Sequence, residues 1–224
     1  MRFLVTAGPT REPIDPVRYI SNRSSGKMGY AIAEAAMEQG HDVVLVSGPA
    51  HLDPPRGAKF ASVSTSDEMF EAVEKHVRDC DVLVMCAAVA DYKPARFSRS
   101  KIKKRDANLS LELVPTRDIL SSLAKQDRYA KERIRRGEQN LAVGFAAETE
   151  NLERNAERKL QEKNCDIVVA NNATVAMESD ENEVTIFFRD GDIKKISRAP
   201  KRIIAHELVK TFVNMREKRL TKKM

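Results

Sequence analysis

Two hydrophobic periods alternate along this chain. Short apolar runs at residues 2–6, 42–46, 81–88, 141–145 and 166–170 are bounded by turn residues and charges, and they predict buried strands. Between them, residues 28–39, 67–78 and 152–163 carry apolar positions at helical spacing. Gly40 stops the first of these helices, and Ser66 is the expected N-cap of the second. Strand–helix alternation of this kind predicts an α/β, Rossmann-like fold: a mostly parallel sheet with helices on both faces. Residues 184–188 and 193–196 break the alternation. They flank Asp190-Gly191, a hairpin signal, and residues 202–219 then read as a closing helix. The expectation is a single domain over residues 1–224. Within it, residues 121–140 are highly charged and read as a solvated helix and loop. The basic stretch 216–224 reads as a fraying end.

A chain of 224 residues can bury one sizeable core, and its 42% apolar content is spread throughout. The net charge of +6 suits an anionic small substrate or a weak nucleic-acid contact and decides neither. Cys80, Cys86 and Cys165 are too few and scattered for a disulfide framework or a zinc site. They read as reduced thiols of a cytoplasmic protein. The longest apolar run, residues 82–90, is far below the roughly 18 residues of a membrane span, so no membrane partner is expected. Nothing at the N-terminus resembles a signal peptide.

The most informative segment is residues 10–29, TREPIDPVRYISNRSSGKMG. It joins the first strand to the first helix and carries Gly26, Gly29, three serines, Asn22 and flanking cations. Backbone donors, hydroxyls and a helix N-terminus make a cradle for an anion such as phosphate. A P-loop would need Gly at position 21 and Ser or Thr at 28, where the chain has Ser21 and Met28. The glycine turn resembles that of short-chain dehydrogenases. However, the second strand ends at Ser47 rather than at an acidic ribose ligand, and no Tyr is followed four positions later by Lys.

Further candidates lie at other strand ends. Asp91, in AAVADYKP, sits where open α/β sheets bind ligands. It could hold Mg²⁺ or a ligand hydroxyl, or simply cap a turn. The basic run at residues 99–105 reads as a solvated face, a nucleic-acid patch or an arm closing on a polyphosphate. The run itself contains no aromatic for base stacking. Lys159 and Lys163, four apart on one helix face, are either surface lysines or an anion clamp. Asn171 and Asn172 follow another strand, as turn formers or ligand contacts.

Taken together, TREPIDPVRYISNRSSGKMG, AAVADYKP, KIKK, RDIL, VGFAAET and KLQEKNCDIVVANN occur in order from Thr10 to Asn172. This set resembles the phosphopantothenate–cysteine ligases (phosphopantothenoylcysteine synthetases), the ligase domain of the DNA/pantothenate metabolism flavoprotein family. The resemblance implies a two-step amide synthesis in coenzyme A biosynthesis. The carboxylate of 4′-phosphopantothenate is activated by CTP as an acyl-cytidylate with release of pyrophosphate. L-Cysteine then displaces CMP. It implies Asn22 and Lys101 as catalytic residues, with the Asn22 amide donating to the acyl-nucleotide. The nucleotide set it implies is Cys86, Ala87, Asp91, Lys101, Arg117, Asp118, Ile119, Leu120, Phe145, Lys159 and Lys163, with Asp91 toward Mg²⁺. For phosphopantothenate it implies Asn22, Ser24, Gly26, Gly29 and Asn171. Expected partners are a second copy of the chain, with the hairpin near residues 184–196 as a contact, and a separate flavin-dependent decarboxylase. Nucleic acid is not expected.

Overall fold

The computed structural model describes residues 1–104, 108–125, 140–148, 150–172 and 179–221. The expectations for Arg105, for residues 126–139 and for the last three residues lie outside that set.

β1 (Arg2–Ala7) leads through a small hairpin, β2 (Arg11–Pro13) and β3 (Tyr19–Ser21), into α1 (Lys27–Glu38). Then come β4 (Asp42–Ser47), β5 (Lys59–Ser62), α2 (Ser66–His76) and β6 (Val82–Met85). A second hairpin, β7 (Tyr92–Pro94) and β8 (Leu113–Pro115), precedes α3 (Ile119–Lys125). The chain continues with β9 (Leu141–Glu148), α4 (Leu152–Glu162), β10 (Ile167–Asn172), β11 (Glu181–Phe188), β12 (Ile193–Pro200) and α5 (Lys201–Thr221).

Eight strands form one sheet in the order β12-β11-β10-β9-β6-β1-β4-β5. From β5 to β10 neighbouring strands are parallel, and β11 and β12 are added antiparallel. The Rossmann-like expectation is therefore met, with the C-terminal hairpin widening the same sheet. The side-chain alternation of β1 divides the core. Phe3, Val5 and Ala7 face α1 and α5, in a cluster with Ile32, Leu208 and Phe212. Leu4 faces the other side, with Met69, Phe70, Ile119 and Leu123 of α2 and α3. Ala156 and Leu160 of α4 pack with Val168 and Phe187 in a third cluster. Burying both faces explains the near-continuous apolar runs of the central strands.

Several boundaries differ from expectation for local reasons. Thr65, not Ser66, caps α2: its side chain accepts from Glu68 N, and Glu68 reaches back to complete a capping box. Ser66 instead donates its backbone N–H to the buried carboxylate of Glu12 at 2.8 Å. The third expected strand stops at Met85, because residues 86–91 leave the sheet. Ala88 N donates to Gly8 O, Ala87 N to Thr6 Oγ1 and Ala90 N to Thr10 Oγ1. The basic end does not fray over residues 216–221, which remain helical.

Candidate active site

The chain runs outward from β1 to β4 and β5, then returns to place β6 on the other side of β1. The loops after β1 and β6 thus diverge and open a crevice, the usual ligand position in open α/β sheets. A cavity of about 610 Å³ occupies this edge, within the size range of small-molecule sites. Thr6 and Thr10 stitch its floor through the bonds just described. Thr116 closes it from β8, donating its hydroxyl to Ala90 O at 2.5 Å and its N–H to Asp91 O at 2.9 Å.

The cavity gathers most of the residues expected from the sequence. Asn22, Ser24, Gly26 and Gly29 line it from the first loop, and Cys86, Ala87 and Asp91 from the second. Arg117, Asp118, Ile119 and Leu120 contribute from the start of α3, and Phe145, Lys159, Lys163 and Asn171 from β9, α4 and β10. Lys101 is not among the lining residues. Its neighbour Ile102 is held on the β2–β3 turn, where its N–H donates to Asp15 at 3.1 Å and its carbonyl accepts from Arg18 at 2.7 Å. The arm is thus fastened to this turn at Ile102.

The geometry also alters how individual residues can act. Both hydrogens of the Asn22 amide go to backbone carbonyls, Ala88 O at 3.1 Å and Val89 O at 3.2 Å. The donor expected to meet the acyl-nucleotide is thus already engaged, and Oδ1, an acceptor, is the atom these two bonds leave over. Gly29 serves packing as well as the cavity: a Cβ there would lie 2.6 Å from Ala7 Cβ. Gly26, at φ +79°, turns the chain into α1 in the left-handed region. Lys159 donates to Phe145 O and Lys163 pairs with Asp118. Burial raises the Asp118 carboxyl, but hydrogen bonds from Lys163 and Ser121 outweigh it and hold the group below its ordinary value. Arg117 stacks over Phe70, 4.3 Å from the ring centroid, so its side chain belongs to the α2 packing. Burial pushes the Cys86 thiol up to about 12, leaving it neutral and a poor nucleophile at neutral pH.

The lining residues not expected from the sequence include the polar side chains of Lys27, Thr116, Asn182 and Lys201. Asn182 is buried and accepts from Asn171 at 3.2 Å. Lys201, which opens α5, reads in sequence as an ordinary polar residue at a helix start. No group of three or more His, Cys, Asp or Glu able to hold a metal occurs among the described residues. A lone carboxylate such as Asp91 fits Mg²⁺ that arrives on a triphosphate with its waters, not a resident ion. Among the described residues no helix is long and apolar enough to cross a membrane.

Fold and site together define a Rossmann-like α/β protein with a cation-lined ligand cavity at its topological switch point. The chain belongs to the DNA/pantothenate metabolism flavoprotein C-terminal domain family, which it matches over residues 1–215. It is 42% identical over 210 residues to the coenzyme A biosynthesis bifunctional protein CoaBC of Bacillus subtilis, covering 92% of this chain and 49% of that protein. It is 43% identical over 198 residues to CoaBC of Escherichia coli K12, covering 86% and 47%. The chain thus spans about half the length of these curated relatives. Among solved structures, the C-terminal domain of a CoaBC protein superposes with a TM-score of 0.80 at 41% identity, covering 97% of this chain and 96% of that one. A Cab2 variant in complex with phosphopantothenate-cysteine shares the fold, with a TM-score of 0.79 at 17% identity over 99% of this chain and 88% of that one.

Proposed function

We propose that this chain joins 4′-phosphopantothenate to L-cysteine, through an acyl-cytidylate formed from CTP. In the first step a carboxylate oxygen bonds to the α-phosphorus and the bond to pyrophosphate breaks. In the second, the cysteine amine bonds to the acyl carbon, CMP departs with the carboxylate oxygen, and the amine gives up a proton. A carboxylate is a poor acyl donor until its oxygen becomes part of a good leaving group. The protein's task is to align two anions and screen their repulsion. The carrying observation is the cavity itself, which draws Asn22, residues 86–91, residues 117–120, Lys159 and Lys163 into one place from distant parts of the chain. The CoaBC names of its relatives give the coenzyme A context.

In this reading the segment 117–120 takes the cytosine nucleotide through its backbone. Lys159 and Lys163 trade Phe145 O and Asp118 for phosphate oxygens. Ser24, Gly26 and the start of α1 receive phosphopantothenate. Asn22, its amide nitrogen fixed on Ala88 and Val89, offers Oδ1 to an N–H of the incoming cysteine, or exchanges one carbonyl to donate to the acyl oxygen. Asp91 would be the residue to hold Mg²⁺ brought by the triphosphate, and that ion would supply neutralisation of the phosphate charge. Lys101 reaches the triphosphate from its clasped segment by movement or from a second copy, so the proposal includes a homodimer. It also includes a cytoplasmic location and, given relatives about twice this length, cooperation with a flavin-dependent decarboxylase activity.

The deciding experiment is pyrophosphate release from phosphopantothenate with CTP or ATP, before and after cysteine is added. One equivalent of pyrophosphate without cysteine, followed by turnover with it and preference for CTP, is expected. If no amide to cysteine forms with magnesium and all substrates present, the reading fails. A preference for ATP would overturn its nucleotide alone.

A further inference from the structure

The Asn22 amide hangs on two backbone carbonyls, and a single residue, Thr10, sets both of them. Thr10 is fully buried between β1 and β2. Its N–H donates at 3.2 Å to Ala88 O, the first carbonyl that takes Asn22 Nδ2. Its Oγ1 accepts from Ala90 N at 3.0 Å. That N–H belongs to the same peptide group as Val89 O, the second carbonyl on Asn22 Nδ2. A trans peptide is planar, and its N–H and C=O point in opposite directions. Pinning the Ala90 N–H to Thr10 therefore aims Val89 O the other way, toward Asn22. The Thr10 carbonyl accepts from Ser21 Oγ at 2.7 Å, one residue before Asn22. The N–H, the carbonyl and the hydroxyl oxygen of Thr10 are thus all committed to the frame around Asn22. Asn22 itself is exposed, so hydrogen bonds more than packing decide where its Oδ1 points. A valine at position 10 would keep the shape of the side chain and the backbone bond to Ala88. It would leave the buried Ala90 N–H without its acceptor.

We infer that Thr10 is the positioning residue for Asn22, setting its amide for acyl transfer to cysteine. Thr10 does not line the cavity, so it acts through the Ala88 and Val89 carbonyls and not on a substrate. The reaction it serves rests on the ligase reading. In that reading Asn22 works in the second step, so a misaimed amide slows the attack of cysteine and leaves the release of pyrophosphate alone. The effect is large for a small displacement, because a reacting group moved by about 1 Å loses about 10²-fold in rate. Serine at position 10 keeps Oγ1 and so keeps the aim.

The test is single-turnover kinetics of the full chain, with pyrophosphate release and amide formation read separately, together with NMR of the Asn22 side-chain amide. The variants are Thr10→Val, Thr10→Ser, Asn22→Ala and the double variant Thr10→Val with Asn22→Ala. Thr10→Val is expected to slow amide formation by about tenfold or more and to change pyrophosphate release by less than about twofold. Thr10→Ser should stay within about threefold of wild type. In the Asn22→Ala background, Thr10→Val should slow amide formation by less than about twofold further, because the group it positions is gone. Hydrogen exchange of the Asn22 amide should quicken by about fivefold or more in Thr10→Val and hold in Thr10→Ser. Equal slowing of both steps in Thr10→Val, or its full effect repeated in the double variant, overturns the assignment. Should Thr10→Val fail to fold, Ser21→Ala decides: it should slow amide formation alone by about threefold or more, and no effect overturns the assignment. A wild type that makes no amide, but whose Asn22 exchange responds to Thr10→Val, defeats the ligase reading and leaves the positioning. Amide synthesis and Asn22 exchange both unaltered in Thr10→Val defeat the positioning and leave the ligase.

Discussion

The two ends of the parallel sheet treat charge in opposite ways. At the N-terminal ends of β6 and β10, the carboxylates of Asp81 and Asp166 are each held by the chain itself. Asp81 accepts from Arg2 N at 2.8 Å and from Arg216 at 2.6 Å. Asp166, 3% exposed at its side chain, accepts from Ala142 N at 2.8 Å and Arg219 at 2.9 Å. These pairs anchor the last turns of α5 across the bottom of the sheet. At the C-terminal edge the balance is cationic: Lys27, Arg117, Lys159, Lys163 and Lys201 line the cavity against Asp91 and Asp118. One edge satisfies its charges internally and holds the fold. The other sets more lysines than carboxylates along the cavity lining, and its pairs, Lys163 with Asp118 and Lys27 with Asp180, lie nearer to solvent. Loops carry the second edge because loops can be rebuilt around a ligand while strands stay in place.

This contrast can be broken from either side. The largest effect is expected at the cavity. Asn22→Ala should lower amide formation by about 10²–10³-fold, while a single turnover still releases pyrophosphate and the unfolding midpoint stays put. Normal amide formation in that variant would remove Asn22 from the second step. Lys101→Ala should slow pyrophosphate release itself, read by the same single-turnover assay.

At the opposite edge, Arg219→Met should cost about 1–3 kcal/mol by removing a charged hydrogen-bond partner of the buried Asp166 carboxylate. The measurement is urea unfolding, with kcat expected to hold. A fall in kcat with unchanged stability would contradict the division of labour. Gly29→Ala, at the cavity where α1 meets the end of β1, should cost about 1–3 kcal/mol, because its methyl group meets Ala7. The same unfolding curves test it.

The smallest effect concerns the clasped arm. The Arg18 side chain holds the Asp15 carboxyl well below the usual carboxylate range, against the effect of burial. Backbone bonds from Val17, Ile102 and Arg18 reinforce it. A depressed carboxyl stabilises the folded state fully above its unfolded value and loses that contribution as pH falls through the folded one. Acidification below about pH 4 should therefore weaken the clasp progressively. Limited proteolysis of residues 98–104 at neutral pH should be faster in Asp15→Asn than in wild type. Equal cleavage would show that the Ile102 contacts do not hold the arm.

How much of this was legible in the sequence depended on the range of the interactions. The central strands were readable because burial on both faces writes short uninterrupted apolar runs, such as Val43–Val46 and Val82–Met85, into the sequence. β2, β3, β7 and β8, three residues each, left no such mark; each is a strand only because its hairpin partner supplies the hydrogen bonds. The capping box at Thr65–Glu68 was present in the local pattern, and one residue of offset hid it. Asn22 and Ser24 announced themselves through the loop they occupy. Lys159 and Lys163 announced a shared helix face but not their partners. Lys201 gave no signal: the Ser179 and Asp180 carbonyls that accept from its Nζ and its backbone N–H are brought to it by folding rather than by a local motif.

The order of residues alone thus determined the class of fold, the identity of the phosphate-cradling loop and the family to which it belongs, because periodicity and turn chemistry are local and repeat along the chain. Tertiary structure alone decided which lysines share a cavity, which arginines are spent on buried carboxylates, and which atom of Asn22 is left to meet a substrate. Those outcomes depend on distances between groups up to 174 positions apart, Lys27 and Lys201 among them, and electrostatic and hydrogen-bond energies are set by such distances and by burial, neither of which a linear pattern contains.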